Sequence, residues 1–259
     1  MTGTLIQLKQ QKNKLHTSND FAKRIGSSKR WQSLGRFKTI RRGYSFVQGK
    51  LQRLKPQFYQ QQLNINSTSL LSPHRVDWCV DNLRDTAVHL GLQLDKDAVT
   101  KIHSFARSNP CTEPKHDDFF FADDIKNGRL HGRYQRQVMR GLVSNLDRCS
   151  TINQIVSDRT LIEIAQKYLG LNFVTASFFI TDVDDNTGPH IMIEKSHNRK
   201  PLKMLFRSNI QNEADVWNFY DRSEELTIKG DAGFGFFQDP SCIHRLKLPR
   251  NGNRLILQI

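Results

Sequence analysis

Apolar residues recur along this chain at two different periods. Val76, Val80, Leu83, Ala87 and Leu90 fall on one face of a helix, opened by Ser72-Pro73 with Asp77 and ended at Gly91. A second helical stripe, Ala98, Val99, Ile102, Phe105 and Ala106, covers residues 95–108 and closes before Asn109-Pro110. A third, with Leu161, Ile162, Ile164, Ala165 and Tyr168, covers residues 158–169 and stops at Gly170. From residue 173 onward the runs shorten and become strand-like. Residues 173–182, 224–228, Phe234 with Phe236 and Phe237, Ile243 with Leu246 and Leu248, and 255–259 each read as a strand, broken by Asp239-Pro240 and Asn251-Gly252. A short helix from Asn212 carries Val216, Phe219 and Tyr220. Residues 110–150 mix turns such as Asn127-Gly128 with the aromatic run 119–121 and read as loops with a short strand.

The last two strands bracket His244 and Arg254, and the Asn-Gly turn predicts that they form a hairpin. On adjacent strands both side chains point into one interior, where an imidazole suits a metal and a guanidinium fork suits a carboxylate. An ordinary hairpin with a buried histidine and a surface arginine fits the pattern as well. The residues alone leave both readings open.

A family resemblance separates them. Asp239-Pro-Ser-Cys-Ile-His-Arg245 followed by Pro249-Arg-Asn-Gly-Asn-Arg-Leu-Ile-Leu-Gln258 resembles the C-terminal signature of the phytanoyl-CoA dioxygenase family, the non-haem iron(II), 2-oxoglutarate-dependent oxygenases. Thr181-Asp-Val-Asp-Asp-Asn-Thr-Gly-Pro-His190 and Lys195-Ser-His197 resemble the acidic turn, the Gly-Pro and the Ser-His of the same family. The resemblance implies an α+β fold: a double-stranded β-helix of the jelly-roll, cupin-like kind, with strands in 173–259 and helices in 71–170 packed outside. It also implies that His244 is the distal iron ligand, that Arg254 pairs with the far carboxylate of 2-oxoglutarate, and that a small or lipid-like substrate is hydroxylated.

The chain departs from the family at one place. The strand at 173 follows the third helix almost directly, whereas the family inserts there the first barrel strands with the His-x-Asp pair that supplies two of three iron ligands. Such a site needs two imidazoles and a carboxylate on one face of the metal. His116-Asp-Asp118 spells the motif but lies about 55 residues too early, in a hydrophilic stretch that reads as a loop; Asp184 and His190 are the other weak candidates for the metal, on a turn and a strand start. Loss of strands predicts an incomplete barrel with exposed edges, each buried unpaired amide costing about 1–3 kcal/mol. The N-terminal extension is available to cover that gap. Two functions follow: an oxygenase using Fe(II) and 2-oxoglutarate, with activity in doubt, or a non-catalytic descendant (a pseudoenzyme) acting as a binding or interaction protein.

Charge refines the domain reading. The formal net charge is +14, from 39 basic and 25 acidic residues. Residues 1–60 hold 14 Lys or Arg and one acid, Asp20, which leaves 39 − 14 = 25 basic against 25 − 1 = 24 acidic residues in 61–259. Residues 1–62 therefore read as a basic, flexible extension and 63–259 as the oxygenase-like domain. Three readings of the extension compete: a transit peptide, a solvated tail, and an arm using Lys23-Arg24, Lys29-Arg30 and Arg41-Arg42 with Trp31 and Phe37 on an acidic partner or nucleic acid; nucleic-acid binding ranks behind the two functions above. Four scattered cysteines with no CxxC pair read as reduced thiols of a cytoplasmic protein, and no run approaches the roughly 18 apolar residues of a membrane span. Lys200, Lys203 and Arg207 could line the route of an anionic substrate.

Overall fold

The computed structural model describes residues 4–9, 70–71, 75–113, 116–126, 128–131, 136–168, 174–206, 211–250 and 252–259. Its centre is an eight-stranded sheet in the order β2-β11-β8-β13-β1-β7-β3-β4. The strands are β1 (Thr4–Lys9), β2 (Val88–Gln93), β3 (Cys111–Glu113), β4 (His116–Phe120), β7 (Arg140–Val143), β8 (Thr175–Phe179), β11 (Phe234–Gln238) and β13 (Asn253–Gln258). A smaller sheet, β10-β9-β12, is formed by β9 (His190–Ile193), β10 (Glu225–Ile228) and β12 (His244–Leu246), and β5 (Ile125–Lys126) with β6 (Arg129–Leu130) makes a short hairpin. The result is a mixed α/β architecture without a closed barrel among the described residues.

Alternation along the strands gives the large sheet two different faces. Ile6, Leu8, Phe178, Phe237, Leu255 and Leu257 pack in one core with Cys79, Val80, Leu83, Ile102, Ile152, Ile155, Leu161 and Ile164. Those last residues come from α1 (Val76–Asp85), α2 (Lys96–Ser108), α3 (Ser150–Val156) and α4 (Arg159–Tyr168), so the helices lie outside the sheet as expected. The opposite face of β8, β11 and β13 meets the small sheet: Phe179, Phe236 and Ile256 pack with Met192, Ile228 and Val183.

Local chemistry explains the helices that match their expected bounds. Asp95 caps α2 by accepting from the Ala98 N–H at 2.6 Å, and Asp158 caps α4 by accepting from Thr160 N at 2.9 Å and Leu161 N at 3.2 Å. The first helix is shorter than its stripe predicts. It ends at Asp85, Ala87 takes a positive φ of 69°, and Val88–Gln93 pairs antiparallel with β11. Leu90, counted on the helical stripe, is 38% exposed; pairing with a strand far along the chain overrides the local period. Residues 110–150 likewise form sheet strands β3, β4 and β7, not mainly loops.

Two further expectations change. The flexible extension 1–62 contributes β1, which sits between β13 and β7 and runs parallel to both. Ile6, Gln7 and Leu8 are all buried, so a short segment at the start of the chain is built into the interior of the large sheet. The rest of the extension, including Trp31, Phe37 and the basic pairs, lies outside the described residues, as do Gly170, Phe173 and Arg207. The C-terminal hairpin is also not a hairpin: β12 pairs with β9 of the small sheet, and β13 pairs with β8 and β1 of the large one. The turn carries the chain across the sandwich, pinned by Lys247 N to Pro189 O (3.2 Å) and Arg250 N to Asn186 O (2.6 Å). Gly188, at φ 84°, lies beneath this crossing, where a Cβ would come 2.4 Å from the Lys247 carbonyl oxygen.

Candidate functional site

The crossing places His244 and Arg254 on opposite sheets facing a shared interior. Arg254 lies on β13 two residues before Ile256, which fixes its side chain on the inner face; it is 0% exposed. Its Nε, Nη1 and Nη2 have no hydrogen-bond partner among the described residues, and burial pushes its pKa down to about 10. An unpaired buried cation is costly to hold, so the position calls for an anion.

His190 is brought to the same interior by register. On β9 it stands opposite Leu246 of β12, while Met192 stands opposite His244. The two imidazoles stack with centroids 5.6 Å apart and planes at 25°. His190 is 2% exposed, and its pKa is pushed down to about 3, first by burial and then by the His244 and Arg254 charges. It is therefore neutral near pH 7. The Gln238 amide, on the inner face of β11 beside Phe236, is the one neighbour favouring the charged form, although neither ring nitrogen forms a hydrogen bond of normal geometry. Phe236 closes one side of His190 with ring centroids 5.2 Å apart.

His244 has one nitrogen committed. Nδ1 lies 2.8 Å from the Cys242 carbonyl oxygen, which can only accept, so Nδ1 carries the proton and Nε2 keeps its lone pair. Part of the side chain faces solvent, yet burial of the rest is the first cause holding its pKa below the ordinary histidine value, with Lys200 adding to the drop and the Cys242 carbonyl opposing it.

The remaining metal candidates are not brought together with these groups. His116 and Asp118 lie on β4, four strands from β13, on the order of 19 Å along the sheet. Asp118 is tied to Arg136 at 3.0 Å, and Glu113 completes that ion-pair cluster. Asp184 is occupied in its own turn, accepting from Asn186 N and Thr187 N, both at 2.8 Å; these bonds hold its pKa below the ordinary carboxylate value. Asp239 is buried five residues before His244, but its oxygens take the Tyr168 hydroxyl and Ser241 N, both at 2.8 Å. Burial pushes the Cys242 thiol up to about 11, so it is no ready thiolate. No group of three or more His, Cys, Asp or Glu side chains suited to a metal occurs among the described residues.

Other sequence candidates resolve simply. His89 is a buried histidine, 3.1 Å from Cys79 Sγ and 3.0 Å from Asn82 Nδ2. Lys203 pairs with Asp215 at 3.5 Å. A cleft of about 240 Å³ between α2 and the sheet, lined by His103, Arg107, Asp123 and Asn253, opens on the other face, and its charges satisfy each other through Arg107 and Asp123 at 2.8 Å. The four cysteines are buried and free, and no described helix is long and apolar enough to cross a membrane.

No protein-family model matches the chain, and no curated protein shows a significant match. Solved structures similar to it include SnoK, a non-heme alpha-ketoglutarate-dependent carbocyclase from nogalamycin biosynthesis, at 13% identity and TM-score 0.48 over 70% of this chain and 82% of that one. Others are EvdO2 from Micromonospora carbonacea var. aurantiaca complexed with 2-oxoglutarate (9%, 0.42, 71% and 87%) and AviO1 from Streptomyces viridochromogenes Tue57 (12%, 0.42, 73% and 93%). Likeness at this level assigns no family, substrate or reaction to the chain.

The sequence singled out His244 and Arg254 and ranked His190 low, because no matched motif marks it. It missed Gln238, whose signal is a polar residue in step with the inward-facing Phe236 in Phe234-Gly-Phe-Phe-Gln238.

Proposed function

We propose that the chain is a phytanoyl-CoA dioxygenase-like protein whose retained function is to bind a 2-oxo-acid of the 2-oxoglutarate type between its two sheets. The observation that carries this reading is Arg254: fully buried, with three nitrogens unpartnered among the described residues. A carboxylate received by this fork in a bidentate pair would supply the missing countercharge. Phe236 packs against one side of His190, and the Gln238 amide and neutral His190 offer polar groups that can orient the rest of the acid.

An iron centre of the facial kind fits these residues incompletely. His244 offers a lone pair at Nε2 and His190 a second neutral imidazole; a chelating oxo-acid would bring the donor count to four. No third protein ligand completes a metal-suited group with them among the described residues. The hydroxylase reading, acting on a small or lipid-like substrate, draws its support from the fixed tautomer of His244. The binding function is tested by equilibrium dialysis of labelled 2-oxoglutarate against the full chain. Saturable binding lost in Arg254→Met supports it; binding unchanged by that substitution sinks it.

A further inference from the structure

A second arginine shares the inner face of the large sheet. Leu5 of β1 is in register with Arg254 on one side and with Arg140 of β7 on the other, so these three backbone positions form one row. Register partners share a face, and the Cα atoms of the two arginines lie two strand spacings apart, roughly 10 Å. The neighbouring row runs Ile256, Gln7, Leu142, with Gln7 buried and bonded to Gln258.

Arg140 resembles Arg254 in lacking a partner. Its side chain makes no hydrogen bond or ion pair among the described residues, and its Nε is buried. Burial alone lowers its pKa, as it does for Arg254, so no nearby carboxylate offsets either charge. The two differ in access. Arg254 is sealed, whereas Arg140 is half-buried, and its terminal nitrogens are not among the buried unpartnered atoms. A paired structural arginine would show a carboxylate or carbonyl, as Arg136 and Arg107 do. A solvated surface arginine would not bury its Nε.

We propose that Arg140 forms a second anion subsite beside Arg254, receiving the carboxylate or phosphate group of a second ligand that lies next to the bound oxo-acid. This rests on the oxo-acid reading for the identity of the neighbour, not for the subsite itself. The ligand is thus an organic acid or phosphate ester whose acidic group meets the half-buried Arg140 while the rest of the molecule points towards His190 and His244.

The probes are inorganic phosphate and acetate, followed by phosphorus NMR linewidth and by saturation transfer, with and without saturating 2-oxoglutarate. At least one of them binds alongside 2-oxoglutarate, and Arg140→Met weakens that binding about tenfold while Arg140→Lys keeps part of it. Preference for phosphate or for acetate identifies which acid the subsite takes. Displacement of both probes by 2-oxoglutarate, or loss in Arg254→Met but not in Arg140→Met, means a single site and overturns the proposal. Arg140-dependent binding in a protein that does not bind 2-oxoglutarate supports the subsite while sinking the oxo-acid reading. Arg140→Met also raises Tm, since an apolar chain replaces an unpaired cation. A lowered Tm shows that the fold compensates this charge and counts against the subsite.

Discussion

His190 and His244 stack across the two ends of β9 and β12 with ring centroids 5.6 Å apart, one ring buried and the other open on one side. Both lone pairs are available, but no group of three or more His, Cys, Asp or Glu side chains suited to a metal forms around them among the described residues. Anaerobic addition of iron(II) and 2-oxoglutarate is therefore expected to give no visible metal-to-ligand charge-transfer band. A clear band abolished by His244→Ala would establish an oxygenase centre instead.

The pH response of folding tests the surroundings of His190. Its folded pKa is about 3 against an ordinary 6.5, so between those values the unfolded chain binds the extra proton. This contribution to stability is complete above about pH 6.5 and is lost as the pH falls towards 3, with a slope of at most about 1.4 kcal/mol per pH unit. Denaturant titrations across that window should show a shallower acid loss for His190→Gln than for the wild type. Parallel curves would mean that the ring is protonated at little cost in the folded state.

The covering strand β1 carries its own prediction. Leu8 is 0% exposed in the core beneath the helices, and Leu8→Ala should cost about 2–5 kcal/mol in chemical denaturation. A cost below about 0.5 kcal/mol would place this segment outside the folded core.

What the sequence made legible and what it hid divide along local and long-range physics. The helices α2 and α4 were readable because Asp95 and Asp158 announce their starts within four residues. The break before β13 was readable too, with Gly252 at φ 66°, but not the sheet that each flanking strand joins. Strand β1 was hidden because six residues inside a basic leader carry no sign of partners about 135 and 250 positions away. The same limit applied to the site. His244 and Arg254 stood in a recognisable pattern, whereas His190 became a neighbour of both only through the pairing of Leu246 with His190.

Tyr168 and Asp239 support the loop that leads to His244. The hydroxyl donates to the buried carboxylate at 2.8 Å, so Tyr168→Phe should cost about 1.5–3 kcal/mol, the range for a hydrogen bond to a charged group. Calorimetry or denaturant unfolding reads this directly; no loss would mean that water or another donor replaces the phenol.

Arg254 supplies the most direct test, because its two roles move in opposite directions. As an unpaired buried cation it destabilises the ligand-free protein, and as an anchor it creates affinity. Thermal unfolding of the wild type and Arg254→Met, each with and without 2-oxoglutarate, separates them in one measurement. The account predicts that Arg254→Met melts at or above the wild type without ligand, and that 2-oxoglutarate raises Tm for the wild type alone. A variant that melts well below the wild type, or one still stabilised by 2-oxoglutarate to the same degree, would contradict it.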